Sequence, residues 1–312
     1  MNIVVLGANG FIGSKLVNTL AQSSNNVFAV TRNFKKGIYF HKEIHTIEAG
    51  DFNEVGIDFW LQIFKDKDVI IDCSGKTPEK KQSKYDIESC EQTITNITTA
   101  AKESNIEHYI FLSSIKVLGE YTDIIPFSTY SNEKPVDVYA QSKFEAERKI
   151  LQIFNKTNTN YSILRPSLVI GPGLKGNILF LIKIIDKFPI LPLKNKTAKK
   201  SVVGLNNLIS FVEMAIKNPL LYGKKIPISD ENISIYDLSL KISKALNKKR
   251  YFFSIPKFIN AILASLSSRF LKLFSNLEVD SSFLKDNLNY SPRFSTEYEI
   301  SRVVNRYRGV DE

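Results

Sequence analysis

NIVVLGANGFIGSKLVNTLAQ, residues 2–22, runs from a β-branched apolar stretch through three glycines into a helix-like pattern. Gly7, Gly10 and Gly13 stand between a predicted strand, NIVVL (2–6), and a predicted helix over 11–22. Glycines at such a junction let the backbone turn tightly and approach a pyrophosphate. The amides that open the helix, with its positive dipole end, then hold the anion. The spacing is Gly-x-x-Gly-x-x-Gly rather than Gly-x-Gly-x-x-Gly, and by itself it also fits an ordinary strand-to-helix turn. Its place directly after a strand of the buried type favours dinucleotide binding, with Gly7, Asn9, Gly10, Phe11, Ile12 and Gly13 at the cofactor.

The same alternation continues outward. Further strands are predicted over 26–30, 45–49, 68–73, 108–114 and 161–166, with helices over 90–104 and 137–154. Strands separated by helices imply right-handed crossovers and a doubly wound parallel sheet of the Rossmann type, an α/β fold covered on both faces. The nearly continuous apolar character of NIVVL and DVIID fits strands buried on both sides. After Pro166 the texture changes to Gly/Pro-punctuated pieces (GPGLKGN, FPILPL, NPLLYGKKIP) mixed with helices. The expected organisation is a dinucleotide-binding domain over 1–168 and a smaller C-terminal substrate lobe over 169–312, with some of its segments returning to the sheet.

Composition narrows the function. Of 312 residues 43% are hydrophobic, enough for a packed core. Two cysteines (Cys73, Cys90) cannot form a disulfide framework, and three histidines without a ligand cluster argue against a metal site. No basic leader and no uninterrupted apolar run of transmembrane length is present, so a cytoplasmic protein without a transmembrane segment is expected. The net charge of +10 is spread over short lysine clusters (79–84, 194–200, 247–250) without a nucleic-acid-binding motif, so no nucleic-acid partner is expected. KFINAILASLSSRFLKLF (257–274) has apolar residues at helical spacing; a helix packed on its own domain is favoured over a membrane-surface anchor.

Dinucleotide folds that take NAD usually place Asp or Glu after the second strand to hold the ribose 2′-hydroxyl. This chain has Thr31, Arg32 and Asn33 there. Arg32 can pair with a 2′-phosphate through its forked donors, so NADP(H) is favoured, with NAD(H) as the alternative; a solvated loop arginine is the plainer reading. Two Tyr-x-x-x-Lys pairs occur. Tyr130–Lys134 precedes Pro135, which disfavours helix at Lys134. Tyr139–Lys143 lies on a helix-compatible run, where residues four apart share a face. Ser113 and Ser114 end a predicted strand, the place where doubly wound sheets build their sites.

Gly-x-x-Gly-x-x-Gly, then Ser114, then Tyr139-x-x-x-Lys143 25 residues later, resembles the extended short-chain dehydrogenase/reductases (the NAD-dependent epimerase/dehydratases) that modify nucleotide sugars. The resemblance runs over nearly the whole chain. GDFNE (50–54) is similar to the family's adenine-contacting Gly-Asp, and DCSGK (72–76) to its small-residue turn. LRPSLVIGPG (164–173) matches the nicotinamide-side segment, while Gly176-Asn177, KKSVVGLNNL (199–208), LEVDSS (277–282) and SPRFS (291–295) match the substrate lobe and the closing segment. SSIKVLGE, GPGLKGNILFLIKIIDKFPILPL and LEVDSS resemble the branch of 4-ketoreductases that act on UDP-4-keto-6-deoxy-N-acetylhexosamines for surface polysaccharides. Two positions depart from the pattern: Cys90 stands where the family has asparagine, and Lys200 where arginine is common.

The resemblance implies residue roles. Tyr139 is the acid-base group; Lys143 lowers its pKa and binds the nicotinamide ribose; Ser114 holds the sugar's C4 oxygen. Asp51, Ser74, Gly75 and Pro166 join the cofactor set. Lys76, Ser114, Tyr139, Asn177 and Lys200 contact a UDP-linked sugar. The implied reaction is hydride transfer to C4 of a 4-keto sugar. A 4-epimerase with retained NAD is the alternative, and a non-catalytic dinucleotide sensor the second. Helices 90–104 and 137–154 resemble those that form a homodimer interface in relatives.

Overall fold

A computed structural model describes residues 1–33, 41–75, 84–254 and 274–310. The chain divides into two compact units. The first comprises Met1–Gly119, Asn132–Arg165 and Ile209–Ile226, the second Glu120–Ser131, Pro166–Leu208 and Pro227–Glu312.

The larger sheet is built from β1 (Asn2–Leu6), β2 (Asn26–Thr31), β3 (His45–Glu48), β4 (Val69–Asp72), β5 (His108–Leu112), β6 (Asn160–Pro166) and β10 (Lys224–Ile228). They lie in the order β10-β6-β5-β4-β1-β2-β3. Every pairing from β6 to β3 is parallel; Val4, for example, sits opposite Phe28 on β2 and Ile70 on β4. β1, β4 and β5 are almost wholly buried along their length, as strands with helices on both faces must be. On one face Trp60 and Phe64 of α2 (Ile57–Phe64), Ile97 of α3 (Lys84–Glu103) and Ile150 and Phe154 of α4 (Val138–Phe154) pack on Ile70 and Tyr109. The chain winds outward from β1 in both directions, so the connections leaving β1 and β4 part company between them. A crevice opens there, at the carboxyl ends of the strands.

β10 begins within the stretch NPLLYGKKIP (218–227), whose glycine and proline suggest lobe structure. The structure places Lys224–Ile228 at the edge of the main sheet, a segment from beyond Pro166 lying in that sheet. Pro227 fits an edge position, since proline has no N–H to give a second neighbour.

In the second unit β7 (Leu168–Ile170), β9 (Lys199–Gly204) and β11 (Glu231–Ser234) form a mixed sheet in the order β11-β9-β7. β8 (Ile190–Leu191) pairs with β12 (Tyr251–Phe252). The helices are α5 (Asn177–Lys187), α6 (Leu205–Ile216, which runs on into the first unit), α7 (Ile235–Ala245), α8 (Ser282–Leu288) and α9 (Thr296–Arg308). Apart from its last residue, the amphipathic segment 257–274 lies outside the described residues. Among the described residues no helix is long and apolar enough to cross a membrane.

Candidate active site

The glycine turn is shaped by two close approaches. Gly7 has φ +76°, and a Cβ there would stand 2.9 Å from the Cys73 carbonyl. A Cβ on Gly13 would meet the Gly7 oxygen at 2.3 Å, so a side chain there would push α1 (Gly13–Ala21) off the strand. The amide of Gly10 closes the turn on the Gly7 oxygen at 2.8 Å.

These residues form one wall of a cavity of about 640 Å³, a size that suits an extended small ligand. Gly7, Asn9 and Gly10 line it after β1, Thr31, Arg32 and Asn33 after β2, Asp51 after β3, and Cys73, Ser74 and Gly75 after β4. Lys143 and Ser142 of α4 close one side, and Ile94 and Ile97 of α3 give it an apolar floor. Asn9 ties two walls together, donating to Thr31 Oγ1 at 2.8 Å and to the Asn33 carbonyl. Its own Oδ1 is buried and makes no hydrogen bond among the described residues, an acceptor left for a ligand. A glycine cradle at a helix N-terminus, a polar rim and an apolar floor fit a dinucleotide. Phe11, Ile12 and Gly13 follow at the start of α1, outside the cavity wall. Lys76, expected beside Gly75, lies outside the described residues.

Ser114, two residues past β5, N-caps a short 3-10 turn (Ile115–Val117), its hydroxyl accepting from the Lys116 amide at 3.3 Å. Ser114 also acts on the Tyr139 phenol, whose pKa it lowers. Tyr139 is placed by Asp137, which N-caps α4: one carboxylate oxygen accepts from the Ala140 amide at 2.8 Å, and the other pairs with the Lys116 ammonium. That ammonium lies 5.9 Å from the centroid of the Tyr139 ring. One carboxylate therefore ties the turn carrying Ser114 to the helix carrying Tyr139. The competing pair separates as its proline suggests: Tyr130 is 90% exposed, and residues 131–136 form no helix.

Lys143, one helical turn after Tyr139, is 8% exposed. Its ammonium donates to the carbonyls of Leu112 at 2.8 Å and Ser74 at 2.9 Å, and lies 4.5 Å from the Phe111 ring centroid. Burial pushes its pKa down, against the nearby Asp72, Cys73, Cys90 and Glu147, with Asp72 the strongest of these. The Tyr139 phenol differs from expectation. Burial pushes its pKa up, the Ser114 hydrogen bond opposes this, and Asp137 adds to the rise.

Behind the site runs a buried chain of charges. Ser113 donates to Glu147 of α4 at 2.5 Å. Arg165 of β6 grips the same carboxylate with Nε at 3.0 Å and Nη2 at 2.5 Å, and reaches Glu133 at 2.6 Å. Lys225 of β10 completes the chain on Glu133 at 2.8 Å. Burial alone would raise the Glu133 pKa, but the Lys225 and Arg165 bonds hold it at about 2.

In the second unit, Pro166 closes β6 and Asn177 opens α5. Lys200 of β9 donates to the Ser275 hydroxyl at 3.0 Å; burial lowers its pKa to about 8, with Glu120 opposing. Sequence reasoning missed Asp72, Lys116 and Asp137. Only Asp137 carried a signal, an aspartate one residue before a helix.

Known proteins resemble this chain in sequence and in fold. At 29% identity the chain is similar to a UDP-glucose 4-epimerase of Vibrio cholerae, over 93% of this chain and 90% of that protein. It is 26% identical to an N-acetyl-α-D-glucosaminyl-diphospho-ditrans,octacis-undecaprenol 4-epimerase of Escherichia coli O157:H7, over 80% and 73% of the two chains. In fold it is similar to the UDP-glucose-bound UDP-glucose 4-epimerase of Thermotoga maritima, with a TM-score of 0.80, 16% identity and 100% coverage of both chains. The family profile described as NAD dependent epimerase/dehydratase matches residues 3–220, so this chain belongs to that family.

Proposed function

We propose that this protein is a nicotinamide-dependent oxidoreductase acting at C4 of a nucleotide sugar. Its favoured reaction is reduction of a UDP-4-keto-6-deoxy-N-acetylhexosamine with hydride from NADPH, for surface polysaccharide synthesis in the cytoplasm. The observation that carries this reading is geometric: Asp137 ties the turn of Ser114 to the helix of Tyr139, one helical turn from an ammonium that lines the dinucleotide cavity. Gly7, Gly10, Arg32, Asp51, Ser74, Gly75 and Lys143 would hold the cofactor, which supplies the hydride when bound.

The chain's own part is proton control. Tyr139 holds a proton that burial keeps on the phenol at neutral pH, which suits a group that must donate as the C4 oxygen becomes an alcohol. Ser114 offers that oxygen a hydrogen bond. The Lys143 ammonium stabilises negative charge on the tyrosine after transfer, and the apolar floor excludes water. Asn177 and Lys200 are assigned to the substrate diphosphate, and α3 with α4 to a homodimer interface. A serine, a phenol and an ammonium brought beside one cavity argue against a mere dinucleotide sensor.

A 4-epimerase with retained NAD is the second reading, favoured by the names of the relatives. One experiment separates the two. The purified protein is denatured and the released nucleotide identified, and the intact protein is then assayed with NADPH and the 4-keto sugar, and with UDP-glucose and UDP-N-acetylglucosamine. NADPH consumption by a protein that arrives without bound nucleotide supports the reductase. Copurifying NAD+ with interconversion of C4 epimers replaces it with the epimerase.

A further inference from the structure

Among the described residues of the first unit four Asp, Glu, Lys or Arg side chains are buried: Asp72, Lys143, Glu147 and Arg165. Two of them form a direct ion pair, Glu147 with Arg165. The remaining two are Asp72, 0% exposed at the end of β4, and Lys143. Among the described residues no ion pair within 4 Å is made by either. A lone buried charge neutralises itself by taking up or losing a proton, so two opposite ones left over in one place need explaining.

One residue connects them. Asp72 accepts from the Tyr109 hydroxyl at 2.7 Å and from the Ser74 amide at 2.8 Å, both uncharged donors. The carbonyl of the same Ser74 accepts from the Lys143 ammonium at 2.9 Å. The next residue closes on that ammonium too, since a Cβ on Gly75 would stand 2.9 Å from Nζ. The carboxylate and the ammonium thus face each other across the peptide groups of one loop residue, whose N–H points to the anion and whose C=O points to the cation.

We propose that Asp72 is the counter-ion of Lys143, a positioning residue that holds the ammonium charged at the cofactor cavity through the Ser74 main chain. The other groups facing Lys143 do not fill this part. Cys73, also on the β4 loop, is a thiol whose pKa burial and Asp72 push up, so it stays neutral. Cys90 approaches from α3, and Glu147, on α4 itself, is already gripped by Arg165. Tyr109 stays protonated, its pKa raised by burial and by Asp72, so it remains a donor rather than a competing charge. Only the catalytic consequence rests on the functional reading above. The charge coupling itself is a property of the free chain.

The test is therefore made without substrate or cofactor. Protein carrying [ε-13C]lysine is titrated by NMR, with the Lys143 resonance assigned from Lys143→Arg. In wild type Lys143 is expected to stay charged through neutral pH. Asp72→Asn, which keeps the shape but removes the charge, should move its titration down by about one pH unit, a tenfold weaker hold on the proton. Tyr109→Phe, which removes a hydrogen bond but no charge, should leave it within about a third of a unit. Equal titration in wild type and Asp72→Asn, or a wild-type Lys143 neutral at pH 7, overturns the proposal. If Asp72→Asn does not fold, the wild-type titration decides the matter. A result against the counter-ion leaves the oxidoreductase reading standing, and absence of turnover leaves the counter-ion standing.

Discussion

Removing the Glu147 carboxylate should destabilise the protein more than any surface change. Glu147→Ala takes away three charge-assisted hydrogen bonds, two from Arg165 and one from Ser113, and leaves a guanidinium 1% exposed. At about 1.5–3 kcal/mol each the three sum to roughly 4.5–9 kcal/mol. That sum overstates the loss, because Arg165 keeps Glu133 at 2.6 Å. Removing one partner of a buried pair typically costs about 3–5 kcal/mol, which is the expected value here. Against a total stability of about 5–15 kcal/mol this is a large share. With a urea m-value of about 3 kcal/mol/M the unfolding midpoint should fall by roughly 1–1.7 M. Trp60, wholly buried in the core beside α3, gives a fluorescence signal to follow alongside circular dichroism. The double variant Glu147→Leu with Arg165→Met should recover most of the loss, since it removes both charges and fills their space. A midpoint shift under about 0.3 M for Glu147→Ala, below roughly 1 kcal/mol, would refute the argument.

Tyr139→Phe should lower kcat by about 10² to 10⁴ with cofactor affinity nearly unchanged, while the exposed Tyr130→Phe is silent in the same steady-state assay. Arg32→Ala should cost NADPH about ten- to a hundredfold in kcat/KM and leave NADH almost untouched; a wild type that prefers NADH would sink this. Lys200 is charged below its pKa of about 8 and neutral above it. KM for the UDP-sugar should therefore climb as pH rises through about 8, with kcat steady. Lys200→Arg, charged throughout, should remove the climb, and a wild-type KM flat between pH 7 and 9 would count against a diphosphate contact.

The first strand, its glycines and the helix after them were readable because each is a local device: a turn closed by Gly10, and contacts only glycine permits at Gly7 and Gly13. α4 was readable too, although Asp137 proved to be its cap rather than its first residue. The predicted strand 108–114 runs past β5, because Ser114 turns its hydroxyl onto the following amides and ends the extended chain. What stayed hidden is long-range. Nothing local in the sequence pairs Glu133, Glu147, Arg165 and Lys225; only the packing of β6, α4 and β10 brings them together. Asp72 was legible only as part of the predicted strand 68–73 and of the DCSGK turn, because its partner Tyr109 lies 37 residues away. β10 was masked by Pro227, which marks an interruption in most sequence contexts and an edge strand in this one.

Synthesis order gives that edge strand a further consequence. β6 ends at Pro166, but its outer neighbour β10 ends at Ile228, 62 residues later (228 − 166). At about 5–20 residues per second the ribosome takes roughly 3–12 s to make that stretch. Throughout that interval one side of β6 has its backbone donors and acceptors unpaired, and the last strand laid down from the first part of the chain is open to pairing with another nascent chain. Arg165, on that same strand, meanwhile waits with Glu133 for Lys225. Truncations that stop short of residue 228 should accordingly aggregate or recruit chaperones, whereas chains released beyond it close the sheet on themselves.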